Sequence, residues 1–404
     1  MSAFATGINY WPNSSAMYMW KRFDLGEIRE DFAMIAGLGL DTVRFFLHWE
    51  DFQPEADRLD RAMTDRFVAV LDALNDAKLL GMPTLFTGHM SGVNFLPFWT
   101  LDRRQPHGRF RTITNRGESP FGIGDYYTGA LLEAQRFACR TLGAAVRGHP
   151  ALWVWDLGNE FSNLRAPASE SDAAEWSWVL SDELRSASEA PVTGGTHGED
   201  LFEDRKLRAS SLCTPWIFPT MHGYSVYSAF ARSRLDYEIV PFSCRLWQSF
   251  SRKLVLFSEF GNPTCARDDA RVTLRSEREA RASKGRRAAF ECLSEDEMCD
   301  YAYNALDRLH ACGALGGFWW CFADYAPALH DTPPFDRAKH ELTFGIMRGD
   351  RTLKPIAHTL ARFAAERRET LPPPAAPLAD AATWYAELPS NIRPAYERYL
   401  RDET

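Results

Sequence analysis

The chain has 404 residues, 45% of them hydrophobic, and a formal net charge of −8. That length holds one large α/β barrel with extensions or two ordinary domains, and the apolar share sustains a sizeable core. The negative charge is spread without long acidic blocks, which argues against nucleic acid as a partner, and no apolar run is long enough to span a membrane.

In chain order, Ala5–Tyr10 reads as a first strand. Asp24 offers an N-cap with Glu27 three residues on, a capping-box pattern. Leu25, Ile28, Phe32, Ile35 and Leu38 follow at helical spacing, closed by Gly37 and Gly39. Residues 41–47 are β-rich and give a second strand. Phe67, Val70, Leu71 and Leu74 mark the next helix, and 81–87 the third strand. A helix from Leu131 to Val146 precedes the fourth strand, 151–157, which ends in Gly158-Asn159-Glu160. Trp176 to Leu184 is helical, 190–194 a short fifth strand and 217–222 a sixth. Residues 252–258 give a seventh strand, running into Glu259. Ser294 with Glu297 is a second capping box, opening a helix through Tyr301, Ala305 and Leu309. Residues 315–321 make the eighth strand. Eight βα units in a row predict a closed (β/α)8 TIM barrel, an α/β fold whose chemistry sits at the C-terminal strand ends.

We read 1–365 as one catalytic barrel and 366–404 as a Pro/Ala-rich C-terminal extension packed on it, carrying Trp384, Tyr385, Tyr396 and Tyr399. The Arg-rich stretch Arg267–Arg287 reads either as a lid over the site or as a solvated surface insertion. The N-terminus lacks a basic, then apolar, leader, and the eight cysteines have no Cys-x-x-Cys spacing. Scattered reduced thiols in a cytoplasmic protein are expected.

Two acidic residues stand out. Glu160 ends Trp153-Val-Trp-Asp-Leu-Gly-Asn159, and Glu259 ends Leu254-Val-Leu-Phe-Ser258. Each follows an apolar run that reads as a buried parallel strand, so the barrel aims both carboxylates at one pocket. Two such acids suffice to cleave a glycosidic bond: one protonates the leaving oxygen, the other attacks or stabilises the sugar carbon. A hydrolytic metal site would want His-x-His on a strand or His-Glu-x-x-His on a helix. Neither occurs, so no metal and no cofactor is expected.

With these motifs in order, the chain resembles the retaining glycoside hydrolases with (β/α)8 barrels. It is most similar to glycoside hydrolase family 5 and its mannanase, mannosidase and cellulase branches. The resemblance runs from Gly7-Ile-Asn-Tyr-Trp11 to Phe344-Gly-Ile-Met-Arg-Gly-Asp-Arg-Thr-Leu-Lys-Pro355, through Asn159-Glu160, Ser258-Glu259-Phe-Gly261 and Gly317-Phe-Trp-Trp320. It implies Glu160 as general acid/base, Glu259 as nucleophile and Asn159 on the sugar 2-hydroxyl. Arg44 matches the strand-two arginine that supports the nucleophile. His222 and Tyr224 match a strand-six His-x-Tyr element, and His89 a strand-three substrate histidine. Trp320 would floor the sugar subsite, with Trp319 the competing choice by one residue. Beyond these, His197 follows strand five, and Trp11 and Asp324 sit at strand ends where they would contact sugar. Trp49, Trp99, Trp216, Tyr325 and His48 are further candidates.

Arg44 and Tyr224 are expected to keep Glu259 ionised, and its charge to keep Glu160 protonated. The partner expected is an oligosaccharide or glycoside. An enzyme inside a cell meets short sugars, which favours an exo-acting β-glycosidase of manno- or gluco-configured substrates. The long loops after strands three, seven and eight would block the pocket. An endo-acting mannanase or cellulase, and an inactive carbohydrate-binding barrel, are the alternatives.

Overall fold

The computed structural model describes residues 3–264 and 293–402. The Arg267–Arg287 stretch lies outside the described residues. Eight parallel strands form one sheet: β1 (Ala5–Tyr10), β2 (Thr42–His48), β3 (Leu80–Thr87), β4 (Trp155–Asn159), β5 (Val192–Gly195), β6 (Thr220–His222), β7 (Leu256–Phe260) and β8 (Gly316–Trp319). Their order is β5-β4-β3-β2-β1-β8-β7-β6, so the chain winds once around and returns beside its start. The seam between β5 and β6 is stitched by Ile217 N–H donating to Val192 O at 2.9 Å and His222 N–H to Thr196 O at 3.1 Å. Hydroxyls of Thr193, Thr196 and Thr220 add bonds to carbonyls across it. The result is a (β/α)8 barrel.

Helices pack outside: α1 (Leu25–Gly37), α2 (Arg61–Asp76), α3 (Gly129–Ala145), α4 (Glu170–Ser188), α5 (Ile239–Ser251), α6 (Glu295–Ala311) and α7 (Pro355–Ala365). Asp24 caps α1 through the N–H groups of Gly26 and Glu27. The Glu27 carboxylate turns away to Ser14 instead of closing the capping box. Ser294 and Glu297 do form the reciprocal box at α6. Met82, Val154, Phe218, Leu256 and Phe318 plug the N-terminal end of the barrel. That leaves the C-terminal end as the open face.

Two differences from the sequence reading have clear causes. The sequence places the fourth strand over 151–157, but the ladder spans Trp155–Asn159. The segment before it makes only a single bridge, Gly81 to Leu152, while Trp153 packs in the lower plug against Phe218. Helix α5 is absent from the sequence reading, and Ile239 through Phe250 are all buried, polar residues included. Its outer side is covered by the C-terminal segment: the rings of Tyr396 and Tyr399 pack at steep angles against Phe242, with centroids 5.0 and 5.3 Å away. Arg245 also donates to Ala376 O. Farther along, Trp384 Nε1 donates to Leu201 O at 2.7 Å and the Tyr385 hydroxyl to Asp200 O at 2.8 Å.

The loop after β3 builds its own structure at the open face. Residues 89–119 contain a four-stranded sheet, and Leu101–Pro106 pairs with Phe121–Ile123. The barrel ladders also slip at their C-terminal ends, between Asp156 and Asn159, Met221 and His222, and Phe257 and Phe260. Such bulges re-aim side chains, and here they lie at the level of Glu160 and Glu259.

Strands β4 and β5 approach so closely that a Cβ on Gly195 would stand 1.9 Å from Gly158 O. Gly195→Ala must push two backbones apart. A loss of at least about 1–3 kcal/mol is expected, read as a lower urea midpoint with an unchanged slope.

Candidate active site

The site is assembled around Arg44, which β2 points into the barrel and which has no solvent exposure. Its Nε donates to Asp156 Oδ2 of β4 at 2.9 Å and its Nη2 to Asn159 Oδ1 at 2.9 Å. Its Nη1 reaches Asn9 Oδ1 of β1 at 3.0 Å and Glu259 Oε1 of β7 at 2.5 Å. Asn9 in turn donates to the carbonyls of Ser258 and Trp319, and Thr84 of β3 donates to Asp156 at 2.8 Å. A buried guanidinium is tolerated only when each N–H meets an acceptor and its charge is balanced. Asp156 and Glu259 balance the charge, and with Asn9 and Asn159 they supply the acceptors.

Glu259 is buried and receives a second hydrogen bond from the Tyr224 hydroxyl at 2.7 Å. Glu160 lies opposite, just past the end of β4, in the left-handed region at φ 45° and ψ 43°. A non-glycine residue pays about 1–3 kcal/mol for that conformation. Here it is held by the Glu160 N–H donating to Gly195 O at 3.0 Å. Asn163 Nδ2 donates to the Glu160 carboxylate at 3.0 Å, and His222 Nδ1 lies 3.1 Å away. His89 Nε2 and His197 Nδ1 flank it, each at 3.7 Å. One oxygen of each carboxyl and one His222 nitrogen all lie within 4.8 Å of one another. The cavity above them measures about 640 Å³, room for more than one sugar ring.

Electrostatics couple the two acids. Burial pushes Glu259 up to about 8, with the charge of Glu160 adding to the rise and Arg44 and Tyr224 opposing it. Burial also raises Glu160, but the imidazoles of His197, His222 and His89 more than reverse this and hold it well below the ordinary carboxylate value. Taken alone, that places the proton on Glu259, the reverse of the sequence expectation. Yet burial drives His222 itself down to about 3, and lowers His89. Near neutral pH these two rings are therefore uncharged hydrogen-bonding groups, and the permanent cation Arg44 touches Glu259 and not Glu160. That favours Glu259 as the ionised member and Glu160 as the proton carrier. In either assignment the pair shares one proton, and the value near 8 belongs to the pair.

Of the residues singled out in the sequence, Glu160, Glu259, His89, Asn159, His197, His222, Tyr224 and Trp320 line this cavity, and Arg44 lies beneath it. Trp320, not Trp319, faces the cavity; Trp319 turns inward and donates to Phe344 O. Two expectations are corrected. Trp11 is fully buried beneath the floor, stacked on Phe46 at 5.2 Å, and Phe46 supports Trp320 edge-on. Asp324 is an internal tie: it pairs with Lys354 Nζ and accepts the Gly345 N–H, at 2.8 and 2.9 Å. Trp49, Trp99, Trp216, Tyr325 and His48 lie outside the cavity lining as well.

The sequence reading missed the residues that steady Glu160. Ser162 donates to Asp200 at 2.6 Å and lies 3.0 Å from His197 Nε2. Arg205 donates to Ser162 and Asn163 at 3.0 and 2.8 Å. None of these carries a motif; the Ser, Asn and Asp become visible only once β4 and the loop after β5 are side by side. Glu160, His222 and Glu259 also form the one group of metal-type ligands found among the described residues. Arg44 already neutralises Glu259, so the trio is suited to holding a proton, not a dication.

No family model and no curated relative matches the sequence. Solved structures do. The chain is similar to the exo-β-1,4-mannosidase from Opitutaceae bacterium strain TAV5, with a TM-score of 0.72 and 25% identity over 90% of this chain and 60% of that one. It thus spans about 60% of that protein's length. It is also similar to GH5_18 from Streptomyces cattleya in complex with Manβ1-4GlcNAc, with a TM-score of 0.78 and 19% identity over 99% of this chain and 91% of that one. A GH5_18 structure from Bifidobacterium longum, also with Manβ1-4GlcNAc, has a TM-score of 0.71 and 20% identity over 92% and 80%. The fold is that of the (β/α)8 glycoside hydrolases of family 5.

Two outcomes follow. Arg44→Met strands Asp156 and Glu259 as buried acids and should cost about 3–5 kcal/mol in urea unfolding. The pair's proton is retained below about 8 and lost above it, because a raised carboxyl stays protonated up to its shifted value. Any activity that needs one protonated and one ionised carboxyl must then fall as pH rises through that point. A flat profile extending more than a unit higher would contradict the coupling.

Proposed function

We propose that the protein is a retaining exo-β-glycosidase that removes a terminal manno-configured sugar from short β-linked saccharides, by double displacement. The observation that carries this reading is the acid pair: carboxyl oxygens within 4.8 Å, one acid on Arg44 and Tyr224, the other among imidazoles and Asn163. Retaining enzymes hold their carboxyls about 5–5.5 Å apart, whereas inverting ones need about 6.5–9.5 Å to admit water. The manno preference is supported by the neighbours, which include an exo-β-1,4-mannosidase and complexes with Manβ1-4GlcNAc. A gluco-configured substrate is the second choice.

The steps follow from charge. Ionised Glu259 attacks the anomeric carbon while Glu160 gives its proton to the departing oxygen. The ester on Glu259 is neutral, so the charge that kept Glu160 protonated is gone. Glu160 now takes a proton from water, whose oxygen attacks the same carbon and releases the sugar with its configuration retained. Asn159 is fixed by Arg44 and by donating to His89 O at 2.9 Å. It retains one N–H for the sugar 2-hydroxyl. Trp320 offers the flat face beneath the ring. The free thiols of Cys139, Cys213, Cys244, Cys299, Cys312 and Cys321 support a reducing, cytoplasmic setting. No helix among the described residues is long and apolar enough to cross a membrane.

Aryl β-mannosides and β-glucosides test the reading directly. Glu259→Ala should abolish turnover, and azide should restore it with a product of inverted anomeric configuration. Glu160→Ala should slow poor leaving groups by about 10²–10⁴-fold while sparing good ones in the first step. Silence of the wild-type chain across the panel would instead favour a carbohydrate-binding barrel.

A further inference from the structure

Among the other carboxylates that line the cavity is Glu341, which the mechanism above does not use. Glu341 lies on the loop after β8 and its side chain is 9% exposed. Its Oε1 accepts from the Tyr227 hydroxyl at 2.8 Å, and its Oε2 from Ser91 Oγ at 3.0 Å. His340 Nε2 stands 3.3 Å from Oε1 and 2.9 Å from the Tyr227 hydroxyl. Ser91 comes from the loop after β3 and Tyr227 from the loop after β6. Three loops that share no sequence signal therefore meet at one acid. Burial raises that carboxyl, but His340, Tyr227 and Ser91 more than offset it, so it stays ionised.

Its position relative to the acid pair decides what it meets. The general acid must reach the leaving oxygen, so the aglycone departs on the Glu160 side. The sugar that is released fills the space on the Glu259 side, above Trp320. Tyr224, which donates to Glu259, packs against Tyr227 at 5.4 Å and Phe344 at 6.1 Å between ring centroids. Glu341 is thus linked to the nucleophile through two adjoining tyrosines, on the loop after β8 that begins with Trp320. The part of a pyranose remote from its anomeric carbon carries the 4-hydroxyl. A carboxylate accepts about four hydrogen bonds, so Glu341 retains acceptor capacity beyond its three neighbours.

We propose that Glu341 is the specificity-determining residue that accepts the free 4-hydroxyl of the terminal sugar, and that the Ser91–Glu341–Tyr227 junction is the wall that enforces exo action. This rests on the glycosidase reading and adds the substrate class: a neutral pyranose whose 4-position carries neither a further sugar nor a charge. A chain extended at that oxygen would lose the hydrogen bond and collide with the junction.

The test uses the aryl β-glycoside that wild type hydrolyses fastest, with its 4-deoxy and 4-O-methyl analogues. Wild type should disfavour the 4-deoxy compound by about 10- to 100-fold in kcat/KM, the worth of one hydrogen bond to a charged acceptor. In Glu341→Ala the parent should fall by a similar factor and the deoxy penalty should vanish. Glu341→Gln keeps the shape, and Tyr227→Phe removes only one bond to the acid. Each should show a reduced penalty at an unchanged unfolding midpoint, which keeps the test decisive if the alanine variant does not fold. A deoxy penalty that persists at full size in the folded variants would overturn the assignment. So would equal rates for wild type on parent and 4-O-methyl substrates. If wild type hydrolyses no glycoside at all, the glycosidase reading fails first and this proposal goes with it. A penalty intact in every variant of an active enzyme would remove the proposal alone.

Discussion

One guanidinium sets the terms for everything above it. Arg44 has no water to solvate it, so it depends on acceptors from β1, β4 and β7, and those strands must stand at fixed heights to supply them. Asn9 extends the same lattice to the carbonyls of β7 and β8, and Asp156 extends it to β3. Burying the charge is costly unless every contact is made. The barrel register and the position of Glu259 are therefore specified together. The slipped ladders at the strand ends are where the sheet yields to satisfy this requirement.

The two acids were legible in the sequence because each follows an apolar run that can only be a strand in a chain of this period. All eight strands and most outer helices were legible for the same reason. Helix α5 was not read, and its polar residues Arg245 and Ser249 gave no hint of burial, because the segment that covers them lies more than a hundred positions later. Trp11 and Asp324 show the limit at the site itself. A strand-end position fixes height in the barrel, but the turn that follows decides whether the side chain rises into the cavity or returns to the core. Asp324 turns back because Lys354, thirty positions later, is there to meet it. Ser162, Asp200 and Arg205 carry no signal because their partners belong to separate strand–loop units.

The two acids also differ in how they are held. Glu259 is gripped by a permanent cation and a phenol, in a strand, with little room to move. Glu160 stands in a strained turn among neutral or titratable rings and amides, each at hydrogen-bonding or longer distance. Fixed charge suits a group that must stay ionised. Polarisable, protonable neighbours suit one that must release and recover a proton.

The aromatic pair Trp384 and Tyr385 bonds to the carbonyls of Leu201 and Asp200, within the short helix Gly198–Phe202 that His197 opens. Peeling the tail away would bare both oxygens and leave that helix without its outer support. The segment around Trp384 and Tyr385 and the imidazole beside Glu160 are thus joined through one short helix, so whatever shifts that segment also shifts a wall of the pocket.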